Sequence, residues 1–273
     1  MRYESFDGIV VRSRETGDHD LLLSVVTAER GRLTVLSKGG KSIKGEQRPI
    51  SQLFAYANFE VYRRGDLYIL KGGVPLHSFY GITDDIHRFN LAAYLCDLTV
   101  ELTDEGEPAE DMMRLLLNAL YALGRGLYPL EILKAAFEFR AAVLSGYAPW
   151  LDGCSVCKKR DAEHYCLDTM NGVLLCPDCL HKRSSAPRPT LYGDELREAE
   201  LLLPLTAGAV AALSYTARAP IERLFAFELK DAESLQTFSH CTERYLLAHL
   251  ERGFDTLDFY RLMRENDTKG TKL

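Results

Sequence analysis

The sequence predicts an α+β protein: a small five-stranded β-barrel, then a helical bundle into which a four-cysteine module is inserted. Three observations carry this. Five short apolar runs separated by turn residues fill the first 80 residues. After Asp84 the apolar period changes from two to about 3.6. Two Cys-x2-Cys pairs then interrupt the helical pattern.

The barrel comes first. GIVVRSRE, LLLSVVTAE, RLTVLSK, LFAYANFEVYR and DLYILKGG are rich in Val, Leu, Tyr and Phe, and Gly-containing turns divide them. The fourth run alternates: Leu53, Ala55, Ala57, Phe59 and Val61 on one side, Phe54, Tyr56, Asn58, Glu60 and Tyr62 on the other. Five short strands favour a closed barrel, because closure removes the exposed edges of an open sheet. The oligonucleotide-binding (OB) barrel is the expected type; an SH3-type barrel fits the strand count nearly as well.

The helices follow. One is expected to carry Ile86, Phe89, Leu91, Tyr94, Leu98 and Leu102, a second Met112 to Leu123, and a third to begin after Pro129. Further helices are expected at 194–203, 207–215 and 232–252, the last packing back on the first three. The expected division is a barrel at 1–80, helical parts at 81–150 and 189–265, a metal module at 151–188, and a frayed tail at 266–273.

The strongest chemical signal is Cys154-Ser155-Val156-Cys157, eighteen residues, then Cys176-Pro177-Asp178-Cys179. Two such knuckles at this spacing predict one tetrahedral zinc site, with a short hairpin around Asn171-Gly172 bearing the second pair. Four sulfurs close the coordination sphere, so the expected Zn²⁺ is structural. Cys166, Cys96 and Cys241 read as buried side chains and His164 as a solvated one.

The net charge of −6 conceals a gradient. The first 80 residues carry twelve basic and nine acidic side chains, the remainder 21 and 30. Lys38, Lys41, Lys44 and Arg48 face only Glu46 within one short stretch. Its core, SKGGKSIKG, contains the Gly-Gly-Lys-Ser that ends a P-loop, but Val35 stands where the first glycine belongs, and glycine and proline replace the required helix. The alternatives are a solvated loop and a loop that follows a nucleic-acid backbone without reading sequence. No nucleophile elbow, zinc-protease helix or dinucleotide glycine pattern occurs. The reading is a binder, not an enzyme. The N-terminus lacks the pattern of a secretion signal and no run suits a membrane span, so the cytoplasm is expected.

The order of parts resembles a known family. A barrel opening D-G-I-V-V-R, then G-D-H-D-L-L-L and G-R-L-T-V-L-S-K-G-G-K, then helices interrupted by C-x2-C and G-V-L-L-C-x2-C, is similar to the RecO family of bacterial recombination mediators. The likeness covers nearly the whole chain. Cys166 departs from it, standing where an aromatic residue is expected, and the bundle is unusually acidic. The resemblance implies a non-enzymatic protein that binds single- and double-stranded DNA and anneals complementary strands. With its partner RecR it would load RecA onto DNA coated by single-stranded-DNA-binding protein, and it would lie on the nucleoid when DNA-bound. The coating protein's acidic tail would dock in a groove of the helices.

With that resemblance, the expected DNA contacts are Lys38, Gly39, Gly40, Lys41, Lys44 and Arg48, with Arg32 and also Arg12, Arg14 and Arg30 as possible extensions of the patch. Tyr56, Tyr62 and Tyr68 are candidates for stacking on bases, with packing on the barrel as the alternative. Two other functions compete: a zinc-containing scaffold that binds only proteins, and a zinc-dependent nuclease, which needs an open metal position.

Overall fold

The structure, a computed structural model, describes residues 3–42, 45–65, 67–184 and 201–270. The chain divides into two compact units, residues 1–127 with 254–273, and residues 128–253.

The first unit holds the barrel. Its strands are β1 (Tyr3–Thr16), β2 (Asp20–Thr27), β3 (Gly31–Ser37), β4 (Tyr56–Arg64) and β5 (Leu67–His77), with the short helix α1 (Arg48–Ser51) between β3 and β4. β1 pairs antiparallel with β2 and β4, and closure comes from a parallel pairing of β3 with β5. The order is β1-β2-β3-β5-β4. A simple meander cannot produce that parallel pair, so topology selects the OB type. Alternation decides which side chains fill it: Leu33 and Val35 of β3 point inward, with Val10, Leu23, Val25, Ala57, Phe59 and Val61. Of the two sides of the fourth run, the one that carries Ala57, Phe59 and Val61 is therefore the inward one. Residues 53–55 are not strand: Phe54 takes a positive φ of 68° and packs edge-on to Phe89, ring centroids 5.7 Å apart.

Gly31 opens β3 at φ 62°, and a Cβ there would collide with the carbonyl oxygen of Asp104. The close approach lets Arg32 N–H donate to Asp104 O at 3.1 Å and Gly106 N–H to Arg30 O at 3.0 Å. Thus the segment after α2 (Ile86–Glu101) and before α3 (Glu110–Arg125) is fastened to the β2–β3 turn. Asp85 caps α2, accepting from the N–H groups of His87 and Arg88 at 2.8 and 3.1 Å.

The second unit contains α4 (Leu130–Leu144), the sheet strands β6 (Trp150–Cys154), β7 (His164–Asp168), β8 (Val173–Leu175) and β9 (Leu202–Thr206), and helices α5 (Pro177–Ser184), α6 (Ala207–Arg218) and α7 (Ala232–Leu250). The sheet order is β6-β8-β7-β9. Most of the helix expected at 194–203 lies outside the described residues, but its end is corrected: Leu202 and Leu203 are strand, paired with Asp168 and Leu167. Alternating Leu-Pro-Leu suits a strand as well as a helix end, and only the β7 edge settles it. α7 packs on α4, the third of the expected helices. Between them Lys134 Nζ lies 2.7 Å from both Glu138 Oε1 and Glu243 Oε2 in a nearly dry environment.

A final helix, α8 (Asp255–Gly270), belongs to the first unit and runs through much of the expected tail. Phe254, Leu257 and Tyr260 are buried, and Phe254 meets Tyr94 of α2 edge-on at 5.7 Å.

Candidate nucleic-acid interface and metal centre

The basic loop leaves β3 at Ser37 and enters α1 at Arg48. Its described residues are tied down at several points. Gly39 N–H donates to Asp20 Oδ1 at 2.8 Å and Lys41 N–H to His19 O at 3.1 Å, both at the β1–β2 turn. Ser37 Oγ bonds Gln47 Oε1 at 3.0 Å and Ser51 Oγ at 2.8 Å, closing the base of the loop. Gly40 is buried there, and a Cβ would come 2.5 Å from Ser37 Oγ.

The cations differ in their freedom. Lys38 is exposed and has no ion pair among the described residues. Lys41 Nζ lies 2.7 Å from Glu15 Oε2. Arg48, half-buried at the start of α1, makes no ion pair among the described residues. Lys44 lies outside the described residues.

The arginines scatter. Arg32 stands six residues before Lys38, about 20 Å along an extended chain, at the opposite end of β3. Arg12 is held by Asp97 of α2 at 2.5 Å. Arg30 is held by Glu4 at 2.6 Å and lies over the Phe6 ring. The hydrogen bond to Glu4 keeps its guanidinium charged still more firmly than usual. Arg14 is exposed, opposite Leu22 of β2, which is itself opposite Leu36, and these share the outer face of the barrel.

Sequence reasoning missed Lys71. The parallel register sets Val35 opposite Tyr68 and Leu36 opposite Ile69. Continued two residues, it brings exposed Lys71 to the barrel end where Lys38 departs. Gln47 joins the same end, donating from Nε2 to Lys71 O at 3.2 Å. No local signal marks Lys71, because its neighbours arrive from another strand. Of the three tyrosines, Tyr68 is buried in the barrel core, Tyr62 meets Tyr3 edge-on at 6.0 Å, and Tyr56 is half-buried, its phenol pushed up by burial and by Asp7. They do not form one stacking surface.

The four cysteines converge. Cys154 ends β6, Cys157 follows in the turn, Cys176 follows β8, and Cys179 lies in the first turn of α5. All four Sγ atoms lie within 4.8 Å of one another, and Cys157 Sγ is 3.6 Å from Cys176 Sγ. A tetrahedron with metal–sulfur bonds of about 2.3 Å has edges of about 3.8 Å, so the set fits a metal ion. The expected hairpin is present: β7 and β8 pair antiparallel, Cys166 opposite Leu175 and Asp168 opposite Val173.

Local backbone shapes the first knuckle. Gly153 has φ 125°, and a Cβ there would stand 2.7 Å from Lys159 O. That approach lets Cys154 N–H donate to Lys159 O at 2.9 Å, and Lys158 N–H closes the turn on Cys154 O at 2.9 Å. Burial pushes the Cys154 thiol up, but the N–H groups of Cys157, Cys176 and Val156 bring it down to about 6. Burial and the neighbouring sulfurs push Cys179 up to about 12. Thiolates this close repel one another, so four together require a cation between them.

The spare groups stand apart from this cluster as expected: Cys96, Cys166 and Cys241 are buried and His164 is exposed. Asp168 braces the hairpin, accepting from Asn171 Nδ2 at 2.8 Å and pairing with Arg183 at 2.5 Å. No helix among the described residues is long and apolar enough to cross a membrane.

Comparison with known proteins gives a consistent result. The family model described as Recombination protein O N terminal matches residues 1–79, and that described as Recombination protein O C terminal matches residues 83–258. A DNA repair protein RecO of Acetivibrio thermocellus is 28% identical over 264 residues, 96% of this chain and 98% of its own length. One from Desulforamulus reducens is 27% identical with both chains fully covered. One from Pelotomaculum thermopropionicum is 31% identical over 66% of this chain and 70% of its own.

Proposed function

Since this chain belongs to the recombination protein O family, we propose that it is a DNA-binding mediator of repair with no catalytic chemistry of its own. It binds single- and double-stranded DNA, anneals complementary strands, and acts with RecR to load RecA onto DNA coated by single-stranded-DNA-binding protein in the cytoplasm, on the nucleoid. The observation that carries the DNA reading is the basic end of the OB barrel. Lys38 is unpaired among the described residues; Lys41 shares its loop, which Gly39, Ser37 and Gln47 fasten, Arg48 follows at the start of α1, and Lys71 comes to the same barrel end on β5. Cations held on a fixed rim meet phosphates with little ordering cost, and they read charge rather than sequence.

The four sulfurs hold a structural Zn²⁺ that joins β6, β8 and α5. With every position taken by Cys, no place remains for water or substrate, which disfavours the nuclease reading. The partner interactions rest on family membership. One cleft of the second unit, about 560 Å³, is lined by Glu131, Glu233 and Glu243, and it does not complement an acidic tail. The tail of the coating protein is therefore not assigned to it.

The test is a titration of a labelled oligothymidylate across salt, comparing wild type with Lys38, Lys41 and Lys44 changed to Glu. Binding should weaken steeply with salt. For every phosphate no longer neutralised, the log–log slope should flatten by about 0.7. An unchanged slope and affinity in the triple variant would remove the loop from the interface, and no binding at low salt would favour the protein-only scaffold.

A further inference from the structure

A second feature of the first unit has a chemistry of its own. Where β5 ends, the segment 75–80 runs beside the C-terminal turn of α3 and leaves an open cleft of about 590 Å³. The walls are four rings and one cation: His77, Phe79, Tyr80 and Tyr121, with Arg125. His77 meets Phe79 edge-on at 4.9 Å and lies 6.0 Å from Tyr121, whose other neighbour is the Arg125 guanidinium, 5.5 Å from the ring centroid. Tyr80 is 84% exposed and Tyr121 42%, so both rings are open to a ligand in the cleft. The cleft holds its shape because the backbones on its two sides meet directly. A Cβ on Gly124 would come 2.7 Å from Tyr80 O, and one on Gly81 would collide with Gly124 O.

Charge selects the occupant. In a chain of net charge −6, no carboxylate among the described residues lines this cleft, whereas the similar cleft of the second unit presents three glutamates. Flat π-faces beside a guanidinium suit a planar base attached to a phosphate, by stacking and by cation–π attraction. Position agrees. His77 lies six residues beyond Lys71 on the same strand, about 20 Å of extended chain, a span of three or four nucleotides from the basic loop.

We propose that this cleft stacks an unpaired base of a single strand whose backbone is held at the Lys38 loop. The inference rests on the DNA-binding reading above. A duplex keeps its bases stacked on one another and gains nothing here, so the cleft distinguishes single strands from double.

Tyr80→Ala tests it in the full chain, since so exposed a ring contributes little to folding. Titrations use a fluorescein-labelled oligothymidylate and a duplex of equal length. Affinity for the single strand should fall about tenfold, with the duplex unchanged. The salt slope should stay as in wild type, because stacking releases no counterions. Tyr80→Trp should restore binding. Wild-type single-strand affinity in Tyr80→Ala, alongside weakened binding in Lys38→Glu, would overturn the cleft alone. Equal losses on both DNAs would overturn stacking in favour of phosphate binding. Weakening instead of an acidic peptide, with DNA unaffected, would make the cleft a protein-docking site. Failure of wild type to bind either DNA would overturn both readings.

Discussion

Glu15 Oε2 sits 2.7 Å from Lys41 Nζ, so the end of strand β1 restrains a cation of the basic loop. The Glu15 side chain is 72% exposed and that of Lys41 30%, and a pair so open to water contributes no more than about 1 kcal/mol to folding. Its effect is on availability. Lys41 must leave Glu15 before it serves a phosphate.

Glu15→Gln should therefore tighten binding. Thermal stability should stay within about a degree or two of wild type. Affinity for an oligothymidylate should rise severalfold, and the salt slope should steepen by about 0.7, the effect of neutralising one more phosphate. Fluorescence anisotropy across salt reads both; a weaker-binding variant would mean that Glu15 orients Lys41 for its ligand.

Removal of the metal should loosen the second unit first. Cys154→Ser and Cys176→Ser should each abolish stoichiometric zinc and lower the melting temperature. Hydrogen exchange should rise in 150–184 while the barrel strands stay protected. Cobalt substitution of wild type should give an all-sulfur spectrum. A nitrogen or oxygen ligand there would reopen the catalytic alternative.

The hairpin predicts an acid-sensitive step. Burial pushes the Asp168 carboxyl up, but Arg183 and Asn171 more than offset this and hold it below the ordinary carboxylate range. A depressed folded value means that the stabilisation is complete above the ordinary value near 4 and is lost as pH falls through the folded one. Asp168→Asn should cost about 2 kcal/mol at neutral pH, and the difference from wild type should shrink as the buffer is taken below about pH 4. Urea titrations at several pH values measure it. A difference independent of pH would assign the effect to shape rather than charge.

Between α4 and α7, Lys134 sits against two carboxylates. Burial lowers its value, but Glu138 and Glu243 outweigh burial and raise it, so the stabilisation persists until pH climbs past the ordinary lysine range. Lys134→Met removes the charge that balances buried Glu138 and should cost about 3–5 kcal/mol. Adding Glu138→Gln and Glu243→Gln should recover most of it, as denaturant midpoints would show.

Much of this is legible from sequence where the signal is local. Alternation in residues 57–61 separates two sides, and burial shows which of them fills the barrel; the Cys-x2-Cys spacing names four cysteines that the fold brings within metal-binding reach of one another. The failures are equally physical. The Leu-Leu-Pro-Leu run reads as helix or strand until β7 offers it an edge, and the polar look of 255–270 hides Leu257 and Tyr260, which need α2 to bury them. Lys71 carries no pattern at all, because it joins Lys38 through a parallel pairing of strands more than thirty residues apart.

By itself the sequence determined the elements that repeat or turn within a few residues: strands, helices, knuckles and the basic loop. Only the tertiary structure decided which cations remain available. Arg12 finds Asp97 of α2, Arg30 finds Glu4 of β1, and Lys41 finds Glu15, while Lys38 stays open among the described residues. The reason is that hydrogen bonds and side-chain periods act along the chain, whereas an ion pair acts through space, across whatever strands and helices the closed barrel happens to bring side by side.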